Sequence, residues 1–266
     1  LPAPADLRAD TAGVALGGGR YQIDLPMHWN YLHPSGGVTM TAALRAATAE
    51  QADPALHLVS ATTTFCEVIR AERTIAQVNV LRRGGSTAQV RVSLSSRDER
   101  GQAVTGLEVA ATYCRERSGP DMRGARPPRD VAWVDDAVDA KDAGASNPHT
   151  RFAFYDQFDC RIGAGGRAWL DGGHRAGPPR YARWFRYRQP QHRDGELDPL
   201  ALPPIADVMP SALAETFADG DYRFYAPSLD LTLHWVAPTA REWLLVYTRC
   251  RRARAGWASA DVEIWD

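Results

Sequence analysis

Lysine is almost absent from this sequence: Lys141 is the sole example, and arginine supplies the remaining basic charge. With a formal net charge of -1 there is no general attraction to nucleic acid or to an anionic membrane. No run approaches the roughly 18 to 20 apolar residues needed to span a bilayer. The opening "LPAPADLRAD" also lacks a basic stretch followed by an apolar one. These absences predict a soluble, cytoplasmic protein. The cysteines, Cys66, Cys114, Cys160 and Cys250, are scattered, with no Cys-x-x-Cys pair and no histidine at zinc-ligand spacing. That argues against a disulfide framework or a structural metal, and the four read as small buried hydrophobes. No metal or cofactor is expected. A Gly-x-Ser-x-Gly elbow is missing too, which argues against serine-hydrolase chemistry.

What the chain does have is period-two alternation. Its 266 residues, 44% of them hydrophobic, suit one large domain or two small ones. Residues 19–26 read as a half-buried strand, and 57–69, 74–84, 86–98 and 103–114 alternate in the same way, separated by turn sequences such as "RGGS" and "RDERGQ". Between the first two lies "YLHPSGGVTMTAALRAA", residues 31–47, a predicted helix in which Arg45 is the only charge from 38 to 47. Residues 117–150, rich in Pro, Gly, Asp and Arg, read as a linker. Beyond it, 151–163 and 180–189 read as strands and 198–217 as an apolar helix. Alternating segments follow at 228–238, 242–253 and 257–265.

The two halves repeat at an offset of roughly 170 residues. Gly85 falls near Gly256, Phe65 near Trp235, and the opening helix on the segment around Asp207. A helix before a long antiparallel sheet, made twice, predicts an α+β fold in which two antiparallel sheets each wrap a central helix and pair as a pseudo-dimer. Enclosure by a curved sheet explains why the first helix is small and apolar on most sides. The predicted domains are 1–116, a linker over 117–150, and 151–266. In the first half a further strand follows residues 86–98, so the second half is expected to lack its last strand.

Several segments carry a resemblance to a known family. They are "HPSGGVTMTAALRAA", "FCEVIRAERTIAQVNVLRRGGSTAQVRVSL" and, most specifically, "PSLDLTLHWVAPTAREWLLVYTRCRRARAGWASADVEIWD". The chain resembles the acyl-CoA thioesterase II family, the double-hotdog thioesterases. The resemblance implies hydrolysis of acyl-CoA to free acid and CoA, with no covalent intermediate and no metal. It also implies a polar triad around a water: an Asp on the second hotdog helix, a Thr or Ser at the start of the next strand, and a Gln on the final strand. Asp207 matches the acid and Ser228 the hydroxyl, while the Gln would lie beyond Asp266. A non-catalytic acyl-CoA or acyl-chain binding protein on the same fold is the alternative, and a lyase or hydratase variant a third reading.

The residues carry part of this by themselves. Asp207 lies in the otherwise uncharged stretch 200–213, where a carboxylate is desolvated unless partnered or at a cleft. It reads either as the base or as a helix-start acid satisfying backbone amides. Asp230, two residues beyond Ser228, would share its face in a regular strand and is an accessory candidate. Gly36 and Gly37 open the first helix, where backbone amides favour a developing negative charge or the glycines merely allow close packing. His28, Trp29, Asn30 and His33 cluster just before them as candidate lining of a pocket mouth. In "RYARWFRYRQPQHR", alternation should put Arg183, Arg186 and Arg188 on the face opposite the aromatics. "NPHT" in the linker lacks the spacing of a hydratase element. The expected partner is an acyl-CoA substrate, with no nucleic acid, no membrane span and further pairing into a homo-oligomer through exposed sheet edges.

Overall fold

A computed structural model describes residues 4–70, 73–142, 152–165, 176–208, 210–217 and 224–266. The alternating segments of the first half form one antiparallel sheet from β1 (Val14–Gly17), β2 (Arg20–Asp24), β3 (Leu56–Phe65), β4 (Arg73–Arg83), β5 (Thr87–Arg97) and β6 (Ala103–Arg115), in the order β1-β2-β4-β5-β6-β3. Alternate residues such as Ala76 and Val78 on β4, Val90, Val92 and Leu94 on β5, and Leu107 and Val109 on β6 are buried. They pack against α2 (Gly36–Gln51), which follows the short α1 (Leu7–Asp10). Ten consecutive residues of α2, from Gly37 to Ala46, include only one that is not fully buried, Arg45. The sheet covers one side of this helix and the second half covers another, so no polar face survives.

In the second half, β7 (Val138–Asp139), β8 (Phe158–Ala164), β9 (Arg180–Tyr187), β13 (Leu244–Arg254) and β14 (Trp257–Trp265) pair in the order β14-β13-β9-β8-β7. A small ribbon of β10 (His192–Arg193) and β11 (Glu196–Leu197) precedes the helical segment. The remaining strand, β12 (Asp230–His234), leaves its own half and pairs with β3 at the end of the first sheet. In that ladder Thr62 faces Thr232, with their hydroxyl oxygens 3.0 Å apart. These two residues are 170 positions apart, the offset of the sequence repeat, so a local two-fold axis runs between them.

Three expectations are corrected. Residues 198–217 do not form one helix: a single 3-10 turn, Pro199–Ala201, leads into α3 (Leu202–Ala206), and α4 starts afresh at Pro210 (Pro210–Ala214). A proline disfavours helical backbone in the residue before it and supplies no amide to a preceding turn, so Pro210 restarts the helix rather than extending it. The stretch expected as a linker also does structural work. It contributes β7, its Val131, Val134 and Ala137 cover the outer face of the second sheet at Trp184, Leu245 and Tyr247, and the Trp184 indole donates to the carbonyl of Ala132 at 2.9 Å. An aromatic sheet face left bare would be costly, and the strap removes it from water. Finally, the strand expected from 151 begins at Phe158, after a 3-10 segment over Ala153–Gln157 that packs on another at Met27–Trp29. The "NPHT" element lies outside the described residues.

Arg45, the one charge among residues 38–47 of α2, ties the halves together. Its Nη2 and that of Arg8 both donate to Asp198 Oδ2, at 3.2 and 3.0 Å, while Asp198 Oδ1 caps the backbone amide of Leu200. Among the described residues no helix is long and apolar enough to cross a membrane.

Candidate active site

The first turn of α2 lacks a cap of its own. Ser35 occupies the N-cap position, but its side chain makes no capping bond, and its hydroxyl is buried without a partner among the described residues. Four amides at a helix start need acceptors. One comes from the other half of the chain: Asp207, immediately after α3, accepts the Gly37 amide on Oδ2 at 3.0 Å. Its other oxygen, Oδ1, accepts the Ser228 hydroxyl at 2.6 Å. The two candidates matched to the family triad are therefore in direct contact, although 21 residues separate them.

The contact is possible because the helix start carries glycine. A Cβ on Gly37 would lie 2.2 Å from the Pro203 carbonyl oxygen and 2.6 Å from Pro204 Cα, so α2 and α3 touch backbone to backbone. A Cβ on Gly36 would lie 2.7 Å from Asp207 Oδ2 and 2.9 Å from the Phe65 ring. Neither alternative raised for the glycines is complete: they allow close packing, and the Gly37 amide is aimed at a carboxylate of the protein itself.

Burial raises the pKa of Asp207 above the ordinary carboxylate value. Hydrogen bonds from Ser228, Gly37 and Gly36 favour the charged form and offset part of that rise. The residue as a whole is only half-buried, so the carboxylate is poorly hydrated without being sealed off. A carboxylate in that state is a stronger base than one in water and is held in one orientation by two donors.

The other candidates are placed differently. Trp29 is 0% exposed; its indole donates to Asp10 Oδ2 at 2.9 Å and its ring meets Phe158 edge-on, so it belongs to the core and not to a pocket mouth. An apolar aromatic after a proline fits either place, and the acceptor on Asp10 lets the indole be buried. His28 pairs with the same Asp10 oxygen at 2.8 Å. Asn30 bridges to Pro34, and its side-chain oxygen is buried without a partner among the described residues. His33 is half-buried. Ser228 precedes β12 instead of lying on it, and Asp230 is exposed at the start of that strand, paired with Thr64, so the shared face does not arise. Tyr31 was not singled out from the sequence, yet burial first, and then the neighbouring Tyr155 and the charge of Asp207, push its hydroxyl well above the ordinary tyrosine value. Nothing in the local sequence distinguishes it from a packing tyrosine. No group of three or more His, Cys, Asp or Glu among the described residues is placed to hold a metal.

Two antiparallel sheets packed on helical segments, with the halves of the chain joined where β12 pairs with β3 and a polar site at the meeting of α2 and α3, define a double-hotdog protein. The chain belongs to the acyl-CoA thioesterase family: residues 127–266 match the model of the acyl-CoA thioesterase C-terminal domain, and residues 25–114 that of the N-terminal domain. Nothing among curated proteins matches it. Among solved structures it is similar to an acyl-CoA thioesterase II from Mycobacterium marinum, at 22% identity and a TM-score of 0.70, covering 98% of this chain and 91% of that one. A Thermobifida fusca protein provisionally assigned as a thioesterase II gives 23% identity and a TM-score of 0.76, with coverage of 98% and 92%. A hotdog-fold protein of unknown function from Alicyclobacillus acidocaldarius gives 18% identity and a TM-score of 0.77, with coverage of 97% and 91%.

Proposed function

We propose that the protein hydrolyses acyl-CoA thioesters to free acid and CoA, with Asp207 as general base and Ser228 holding it in place. The observation that carries this reading is the desolvated Asp207 carboxylate, fixed by Ser228 on one oxygen and by the start of α2 on the other. A water hydrogen-bonded to the carboxylate attacks the thioester carbonyl. Its proton passes to Asp207 as the new C–O bond forms, the C–S bond then breaks, and the proton leaves with the CoA thiolate. Each carboxylate oxygen has two lone pairs, so the bonds already present leave room for that water. The Gly37 amide, proposed from the sequence to help the carbonyl, is instead committed to Asp207. Gly36 and Gly37 then serve the substrate by holding the base.

Two measurements follow from the electrostatics. Because Asp207 must be ionised to act, and burial raises its pKa, kcat/KM should climb with pH through a midpoint above the ordinary aspartate value of about 3.9. Ser228→Ala removes a bond that favours the charged form, so its acid limb should move to still higher pH. On the plateau, kcat should fall roughly tenfold or more, the usual worth of a hydrogen bond to a charged group. Ser228→Thr keeps the hydroxyl and should retain most of the activity. A Ser228→Ala acid limb that stays in place or moves downward would contradict the coupling. The wild-type test is release of free CoA from a panel of acyl-CoAs of differing chain length. Binding without release would favour the acyl-CoA binding alternative.

A further inference from the structure

Phe65 ends β3 beside the site. Its backbone amide donates at 2.9 Å to the carbonyl of Leu229, the residue after Ser228. Its two-fold counterpart Trp235 repeats that bond to Val59 at 3.0 Å, at the same 170-position offset as Thr62 and Thr232. The two rings then differ. Trp235 spends its indole N–H on the Pro199 carbonyl at 2.8 Å, whereas Phe65 has no polar atom to satisfy. The wholly apolar ring is the one that stands beside the acid. A Cβ placed on Gly36 would lie 2.7 Å from Asp207 Oδ2 and 2.9 and 3.0 Å from Phe65 Cε1 and Cζ. Carboxylate oxygen and ring edge therefore border one point, with no side chain of α2 between them. Phe65 packs on the core yet is only half-buried, so its ring is part of the rim of the site as well as of the interior.

A ring edge acts on a carboxylate in two opposed ways. Its hydrogens are weakly positive and favour the anion. Its bulk displaces water, which disfavours the anion, and for a poorly hydrated acid this second effect is the larger. The groups that bond Asp207 do not decide the matter: Ser228, Gly37 and Gly36 are uncharged, and they only offset part of the effect of burial. Nor does a like charge at close range. Tyr31, which the charge of Asp207 reaches, is kept neutral chiefly by burial. Glu67, the acid nearest to Phe65 in sequence, is exposed and accepts the Val68 amide. An apolar wall is the cause that remains, and Phe65 is the apolar side chain whose contact with the Asp207 position is direct.

We propose that Phe65 is a positioning residue of this site: its ring edge walls the Asp207 carboxylate off from bulk water and so sets the strength of the base. The inference rests on the reading of Asp207 given above, and its test is made first without substrate. The side-chain carboxyl carbon of Asp207 is followed against pH by NMR in the full chain, its signal assigned by its loss in Asp207→Asn. Phe65→Leu keeps an apolar wall. Phe65→Gln puts an amide of similar size in the same place, and both side chains suit a half-buried strand end. The Asp207 midpoint should move down in Phe65→Gln, because a polar group now solvates the anion, and should stay near the wild type in Phe65→Leu. The acid limb of kcat/KM should follow it, moving downward in Phe65→Gln, in the direction opposite to Ser228→Ala. A merely structural role would lower the thermal midpoint of both variants and leave the titration where it was. An Asp207 midpoint unmoved or raised in Phe65→Gln, or lowered as much in Phe65→Leu, overturns the inference and leaves acyl-CoA hydrolysis untouched. The expected shift in a protein that releases CoA from no acyl-CoA would support the wall and remove the hydrolase reading instead.

Discussion

Asp207→Asn should lower kcat/KM for acyl-CoA hydrolysis by about 10²- to 10⁴-fold, the range attributed to a positioned general base. The fold should survive the change. Asparagine is nearly isosteric, its carbonyl oxygen can accept the Gly37 amide, and its amide can donate to the Ser228 hydroxyl. The variant gives up a negative charge at the start of α2, worth about 0.3–1 kcal/mol, but it also no longer buries a carboxylate. Thermal unfolding beside the CoA-release assay separates the two roles: a midpoint close to the wild type with activity nearly lost is the expected pair of results. Full activity in Asp207→Asn would remove the residue as base. Stability also has a predicted sign. The pKa of Asp207 is raised in the folded state, so the group's contribution to stability is present at low pH and is lost as pH rises through that folded value. Asp207→Asn should therefore lose stability relative to the wild type at acid pH and gain on it towards neutrality.

Gly37→Ala should have the largest effect on stability. Its Cβ would meet the backbone of Pro203 and Pro204 at distances no side-chain rotation can relieve. The two helices must separate, at a cost of about 1–3 kcal/mol for overpacking. In a chain of this size that is a fall of several degrees in thermal midpoint. Activity should fall with it, since α3 carries Asp207 away from the Gly37 amide. Gly36→Ala is the control. Its added methyl would meet the Asp207 carboxylate and the edge of the Phe65 ring, both side chains. Its loss of activity should therefore exceed its loss of stability. Equal, small effects from both substitutions would mean that the helix contact is looser than the distances indicate.

The fold was legible where periodicity and enclosure act on the same residues. The strands of the first half, the apolar helix from Gly36 and the repeat offset all follow from local pattern, and the offset reappears as the pairing of Thr62 with Thr232. Asp207 was legible because it interrupts an uncharged stretch. Ser228 was legible only through family resemblance, since a serine in a loop has no signature of its own. Long-range partners were not readable: whether Gly37 faces a substrate or a side chain depends on a residue 170 positions away. Trp29 was misplaced because an aromatic side chain near a helix start suits a core as well as a mouth. Arg183 was misplaced: it is 1% exposed on the inward face of β9 beside Tyr181 and Phe185, because alternation puts residues 181, 183 and 185 on one face whatever their polarity.

The contact between Gly37 and Asp207 joins a helix from one half to an acid from the other, across the axis marked by Thr62 and Thr232. Were the halves separate molecules, the base would be oriented only in the fraction that had associated, and dilution would dismantle it. In one polypeptide the encounter is intramolecular, with an effective concentration set by the connecting chain and not by the amount of protein. Specific activity attributable to this site should accordingly be independent of enzyme concentration. The covalent link also releases the two halves from having to be identical, so one can carry glycine where the other carries the acid.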